Sequence, residues 1–287
     1  MIFVTGGEGY VGPEIARGLV RAGQRVRLLV TSSAEAEHVE GPGREIIVGD
    51  RRKPSTFASA LEGADAAVLI TRNARDLPEQ ESEFARTAKA AGVSRLVKLS
   101  AFGADLNAEE GAQRSHAEAE EVLRRSGVAW TFLRPEFFMQ NLLWFADEIR
   151  AKGTFSLPLK DGRLGMIDFR DIAAVAIKCA LDAAHEGHIY ELSGPELLSM
   201  NDVAKKLARA VSVSIRYNDI SPDEFERLLI AMGRPAWRAR EIAVSYAGMS
   251  GGASAVVTDD VTRILGRAAT PFDQVARDYA RFFRATA

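Results

Sequence analysis

The sequence predicts a doubly wound α/β fold: a parallel sheet with helices on both faces, completed by a smaller, mostly helical lobe. Three observations predict it. Apolar runs of four to six residues alternate with amphipathic stretches along the first 135 residues, as in βαβ units whose strands are buried on both faces. A glycine-rich turn, Gly6 to Gly12, joins the first apolar run to the first amphipathic stretch. The amphipathic stretches end at Gly23, Gly63, Gly92 and Gly127, each suited to a left-handed helix C-cap.

In chain order, residues 1–4 (MIFV) are the first strand, and 13–22 (PEIARGLVRA) carry apolar residues at helical spacing. RVRLLV at 25–30 and EIIVG at 45–49 are strands again. The helical STFASALEGA leads to AAVLIT at 66–71, and SEFARTAKAAG leads to RLVKLSA at 95–101. HAEAEEVLRRSG at 116–127 leads to WTFLRP at 130–135. Beyond Pro135 the alternation becomes irregular. FFMQNLLWFADEIRA, from Phe137, has the pattern of one amphipathic helix. RLGMIDFRDIAAVAIKCALDA is a strand running into a helix, and HIYELSG at 188–194 is a returning strand. Helices are expected over 200–210, 222–232 and 235–247, a loop over 248–255, and a closing helix in PFDQVARDYARFF. The expected division is a sheet domain over 1–135, with 165–194 returning to it, and a smaller substrate lobe from 136–164 and 195–287.

Length and composition bound the function. A chain of 287 residues has room for one or two domains. Lys and Arg total 37 against 39 Asp and Glu, so there is no basic excess of the kind that nucleic-acid binding needs. The single cysteine, Cys179, excludes an intrachain disulfide framework and fits a reducing compartment. Glycines interrupt the N-terminal apolar run at once, unlike a signal peptide, and no stretch has the eighteen or so apolar residues of a membrane span. A cytoplasmic enzyme or binding protein acting on a small molecule is expected.

The most informative segment is Thr5-Gly6-Gly7-Glu8-Gly9-Tyr10-Val11-Gly12. It follows a predicted strand and opens a predicted helix. Glycines recurring every third residue permit a tight turn, a close backbone approach to a pyrophosphate and close helix–sheet packing. The helix N-terminus adds free N–H groups and a positive dipole end. The sheet is therefore expected to be Rossmann-type, with Thr5, Gly6, Gly9, Tyr10, Val11 and Gly12 around a dinucleotide.

The TGxxGxxG form of this turn resembles the short-chain dehydrogenase/reductase superfamily. His116 to Asn141, HAEAEEVLRRSGVAWTFLRPEFFMQN, resembles the HxxxExxLRxSGxxxTxLRPxxFMxN stretch of its NmrA-like, atypical branch. The tail TDDVTRILGRAATPFDQVARDYARFF is similar to the end of those proteins. The resemblance implies an NADPH-dependent reductase of a quinone-like, dye-like or conjugated carbonyl substrate. The runner-up it implies is an NADP(H)-sensing regulator without turnover. A sugar-nucleotide epimerase or dehydratase shares the turn, but it needs a tyrosine with a lysine four residues on.

That dyad is absent. The five tyrosines, Tyr10, Tyr190, Tyr217, Tyr246 and Tyr279, are followed four residues later by Glu14, Gly194, Ser221, Ser250 and Phe283. His116 and Glu120 stand at the corresponding place, also one helical turn apart, and are the expected proton-donating pair. The second strand ends Thr31-Ser32-Ser33 without a carboxylate, which favours NADP over NAD. Arg51 and Arg52 are further expected contacts of a 2′-phosphate, and Asp50 matches the family aspartate beside the adenine. Thr71, Arg72 and Asn73, then Ser100 and Ala101, then Pro135, Phe137 and Phe138 follow the fourth, fifth and sixth strands. Ligands bind at such strand ends. Lys98 shares a strand face with Ser100, and Phe137, Phe138, Met139, Trp144, Phe225, Met232 and Trp237 are candidates for an apolar pocket. Gly248-Met249-Ser250-Gly251-Gly252 fits the hydrolase pattern GxSxG, but no histidine follows the serine as that mechanism requires. No metal site is expected.

Overall fold

The computed structural model of the chain describes residues 1–108, 111–252 and 254–284. Three parts of the predicted organisation lie outside the described residues: Glu109 and Glu110 of the expected sheet domain, Ala253 of the 248–255 loop, and 285–287 of the expected lobe. The chain forms two compact units. The first takes Met1–Pro135, Phe169–Glu191 and Arg263–Gly266, and the second takes Glu136–Asp168, Leu192–Thr262 and the residues from Arg267 onward.

The strands are β1 (Ile2–Val4), β2 (Val26–Val30), β3 (Arg44–Val48), β4 (Ala66–Ile70), β5 (Arg95–Leu99), β6 (Ala129–Pro135), β7 (Thr154–Leu157), β8 (Arg163–Leu164), β9 (Ile189–Leu192), β10 (Leu198–Ser199) and β11 (Arg216–Asp219). The helices that matter for the site are α1 (Val11–Arg21), α2 (Ser33–Val39), α3 (Ala58–Leu61), α4 (Leu77–Ala90), α5 (Ala112–Arg124), α6 (Ala146–Lys152) and α7 (Phe169–Leu181). Gly23, Gly63, Gly92 and Gly127 all take positive φ just after a helix, as a left-handed cap requires.

A seven-stranded sheet runs in the order β3-β2-β1-β4-β5-β6-β9. Val4 stands between Leu28 and Val68, and the registers from β3 to β6 are parallel. β9 also runs parallel: Phe132 N donates to His188 O, and Glu136 N to Leu192 O, so the two strands advance together. The chain passes from β3 over to β4 on the far side of β1, and this reversal of strand order opens a crevice at the carboxyl ends of β1 and β4. One face of the sheet is packed by Phe3, Phe57 and Phe84, whose ring centroids lie 5.6–6.5 Å apart. Phe3, Phe57 and Phe84 are wholly buried. α1 carries Ile15, Ala16 and Leu19 buried on a single stripe, as its 3.6-residue period dictates.

The second unit is built around Phe145, Phe155, Phe225 and Tyr246, with ring contacts of 5.5–6.5 Å. The single helix expected from Phe137 does not form. Ile167 N donates to Phe137 O at 2.9 Å and Met139 N to Ile167 O at 2.8 Å, so the chain is extended there. A tight 3₁₀ stretch, Met139–Phe145, follows before α6 begins. The strand expected before α7 is only two residues long, β8, paired antiparallel to β10. The closing helix divides at Tyr279 into Phe272–Asp278 and Ala280–Phe283. β7 and β11 pair in parallel, a contact no local pattern announces. No helix among the described residues is long and apolar enough to cross a membrane.

Candidate functional site

The glycine turn leaves β1 at the crevice, and each glycine meets a different demand. Gly6 has a φ of +73°, a left-handed conformation that a side chain disfavours. A Cβ on Gly12 would come within 2.3 Å of Gly6 O, so this glycine lets α1 pack on the turn. Gly9 is exposed with no positive φ, and a Cβ there would meet only Gly6 O, at 3.6 Å. Neither packing nor backbone conformation requires glycine at position 9. A ligand that presses against the backbone there would require it. No side chain caps the α1 N-terminus, so its first N–H groups are left for an anion. These features fit a dinucleotide pyrophosphate.

The flanking residues divide into walls and contacts. Thr5 is wholly buried; its hydroxyl donates to Ile70 O at 2.8 Å and accepts from Ile70 N at 2.7 Å, clamping β1 to β4. Val11 and Gly12 are buried under the turn. Tyr10 is exposed and stacks on Phe169 with ring centroids 5.7 Å apart.

The end of β2 differs from the expectation of a carboxylate-free turn. Thr31 N and Oγ1 both donate to Glu35 Oε2, at 2.9 and 2.6 Å. Ser32 Oγ accepts from Glu35 N as the N-cap of α2, and Ser33 is the exposed first residue of that helix. Desolvation opposes the Glu35 charge, but hydrogen bonds from Thr31 and Ser32 and the Arg72 charge hold its carboxyl below the ordinary range. A carboxylate thus stands at the end of β2, brought back by one turn of helix. Arg51 is buried against Glu8 at 3.4 Å, and Arg52 pairs with Asp76 at 3.3 Å. Asp50 turns onto its own loop, Oδ1 accepting from Arg52 N at 2.9 Å.

Beneath the ends of β4 and β5 lies a buried polar cluster. Lys98 and Glu81 are both wholly buried and form an ion pair at 2.7 Å. Lys98 Nζ is also 3.1 Å from His116 Nδ1, and His116 Nε2 is 2.9 Å from Asn73 Oδ1. An ammonium can only donate, so Nδ1 accepts and the ring hydrogen sits on Nε2, donated to Asn73. Burial, and then the Lys98 charge, hold the His116 pKa well below the ordinary imidazole value. His116 and Glu120 share the buried face of α5, as their spacing predicts, but they do not pair. Glu120 accepts a fork from Arg134 at 2.9 and 2.6 Å and the Ser100 hydroxyl at 2.6 Å. The fixed fork of Arg134 outcompetes the neutral ring for that carboxylate. Among the expected residues, the structure therefore joins Ser100 with Glu120 and Asn73 with His116. Lys98 and Glu81 carry the centre of the cluster; the sequence signal for them was a lysine in an otherwise apolar strand.

The other expected residues are dispersed. Thr71 is buried at the end of β4, Arg72 is exposed beside it, and Ala101 is half-buried after β5. Pro135 ends β6, its carbonyl accepting from Phe102 N at 3.2 Å. Phe137 belongs to the core of the second unit, 5.1 Å from Tyr246, and the Phe138 backbone bridges Ile167. The expected apolar pocket is split within that unit. Met139 and Phe225 are core, Trp237 is exposed, and Trp144 and Met232 line an open cavity of about 470 Å³ with Ile220 and Leu228. Ser250 donates to Ala247 O of its own helix, which fits a helix end and no nucleophile.

A sequence model of the NmrA-like family matches residues 1–249. The NAD(P)H azoreductase of Xenophilus azovorans is 35% identical over 99% of this chain and 100% of its own length. A (4-alkanoyl-5-oxo-2,5-dihydrofuran-3-yl)methyl phosphate reductase of Streptomyces griseus is 36% identical over 99% of both chains. Among solved structures, the NADPH-dependent quinone oxidoreductase of Escherichia coli complexed with NADPH superposes with a TM-score of 0.86 at 26% identity, covering 97% of this chain and 99% of its own.

Proposed function

The chain belongs to the NmrA-like family, and from that premise we propose that it is an NAD(P)H-dependent reductase that passes hydride to a quinone-like, azo-dye-like or conjugated carbonyl substrate. The observation that carries the cofactor half is Gly9, a glycine that no packing or φ demands, beside an uncapped helix N-terminus at the switch point of the sheet. The relatives' activities support the substrate half.

The turn and the first N–H groups of α1 hold the pyrophosphate, and Asp50 lies on the adenosine side. The bound nicotinamide supplies a hydride. Ser100, Ala101 and Asn73, at the ends of β5 and β4, border the place where it is delivered. His116 is neutral, with its one ring hydrogen engaged by Asn73. It therefore acts as a positioning residue for the Asn73 amide, and the proton that completes reduction comes from solvent. The Arg134–Glu120–Ser100 chain fixes the β5 end against α5. In this reading the second unit is the substrate lobe, and the protein resides in the cytoplasm.

The regulator alternative makes the opposite forecast for turnover. NADPH oxidation followed at 340 nm with a panel of quinones and azo dyes decides between them. Steady consumption supports the reductase. Tight NADPH binding with no consumption across the panel points to a sensor.

A further inference from the structure

We propose that Glu35 sets the balance between NADPH and NADH in this chain, its carboxylate accepting from the ribose 2′-hydroxyl of NADH and opposing the 2′-phosphate of NADPH. The inference rests on the cofactor reading above. In this fold an acidic residue about twenty positions after the glycines recognises the 2′-hydroxyl, whereas a nearby arginine accommodates the phosphate. Position 31 is threonine, so the strand end carries no acid of its own. The tertiary structure places one there. Glu35, on the first turn of α2, returns its Oε2 to the amide and hydroxyl of Thr31 at 2.9 and 2.6 Å.

Part of the polar lining that a 2′-phosphate could use is engaged within the protein. The Thr31 hydroxyl donates to Glu35, and the Ser32 hydroxyl accepts from the Glu35 amide. Arg51 is buried and turns only Nη2 towards Glu8, at 3.4 Å, and Arg52 is paired with Asp76. Arg72 is the cation whose charge acts on Glu35. A phosphate of nearly two negative charges entering here meets a carboxylate, and it must displace that carboxylate to reach Thr31 and Arg72. NADH needs no such displacement, because a hydroxyl can donate to the carboxylate where it stands. Both cofactors are accommodated, and Glu35 weakens NADPH selectively.

The test is calorimetric titration of NADPH and NADH into wild type, Glu35→Gln and Glu35→Ala. Glu35→Gln removes the charge and keeps an acceptor for Thr31, and the α2 cap uses only the backbone amide of residue 35, so both variants should stay folded, which thermal melting checks. The expected result is a shift of the NADPH-to-NADH affinity ratio by about tenfold or more towards NADPH in both variants, as removal of a like charge beside a phosphate implies. The shift should shrink at high salt. A wild type that binds both nucleotides, with a ratio that both variants leave within about twofold, overturns the inference alone. A wild type that binds neither overturns the cofactor reading and the inference together.

Discussion

Lys98 Nζ stands 3.1 Å from His116 Nδ1, inside the protein, with neither side chain open to solvent. That contact settles the chemistry of the histidine. Burial, and then the neighbouring ammonium, make an imidazolium unfavourable, and the ammonium fixes the tautomer whose Nε2–H faces Asn73.

The first prediction concerns acid stability. Folded His116 has a depressed pKa, whereas the unfolded side chain titrates near the ordinary value of about 6.5. Below that value the unfolded state binds the extra proton, so stability falls with pH down to the folded pKa, by up to about 1.4 kcal/mol per pH unit. Urea unfolding between pH 7 and 5 should show this slope in wild type and a shallower one in His116→Gln. Equal slopes would mean that His116 takes up its proton as readily in the folded protein as in the unfolded chain.

Catalysis should be less sensitive to the same residue. A neutral ring bonded to Asn73 does not supply the proton, so His116→Ala should keep kcat within about tenfold and express its loss mainly in KM, as a positioning residue does. The pH profile of kcat/KM should show no inflection that this variant removes. A loss of about a hundredfold or more in kcat would restore His116 as the general acid.

The glycines give a paired prediction. Gly9→Val should fold, because the first added carbon meets only Gly6 O at 3.6 Å, and it should lose NADPH binding. Gly12→Ala places a carbon 2.3 Å from Gly6 O and should cost about 1–3 kcal/mol of stability by overpacking. Thermal melting and NADPH titration of both proteins separate the two roles. A Gly9→Val protein with wild-type affinity would move the nucleotide elsewhere.

Removing one member of the buried ion pair should be worse than removing both. Lys98→Met leaves the Glu81 carboxyl enclosed without its partner, where burial already raises its pKa, at about 3–5 kcal/mol, while Lys98→Met with Glu81→Leu should recover much of that loss. Denaturant titration of the single and double variants gives the coupling. Additive losses would show that the two side chains do not depend on each other.

Local signals in this chain carried the sheet well. Apolar runs marked β1 to β6, because an inner strand buried on both faces must be apolar throughout and even the half-buried edge strand β3 carries Ile46, Ile47 and Val48, and each helix-ending glycine has the positive φ a cap needs. The turn from Thr5 to Gly12 announced its backbone demands for the same reason. Where the patterns misled, a long-range contact had overridden them. Residues 137–151 have helical periodicity, but the hydrogen bonds of Ile167 hold Phe137 to Met139 extended.

The site divides along the same line. The sequence by itself determined the glycine turn and helix start that are proposed to receive a dinucleotide's phosphates, because glycine freedom and a helix N-terminus are properties of consecutive residues. It also determined that His116 and Glu120 share one face of a helix, since 3.6 residues per turn suffices for that. Only the tertiary structure decided their partners. Arg134, on β6, takes Glu120; Lys98, on β5, takes His116; and Glu35 turns back onto Thr31 at the end of β2. Charge, tautomer and cofactor balance depend on side chains brought within about 3 Å of one another by the sheet and its flanking helices. Spacing along the chain does not specify which ionisable groups will share a low-dielectric interior.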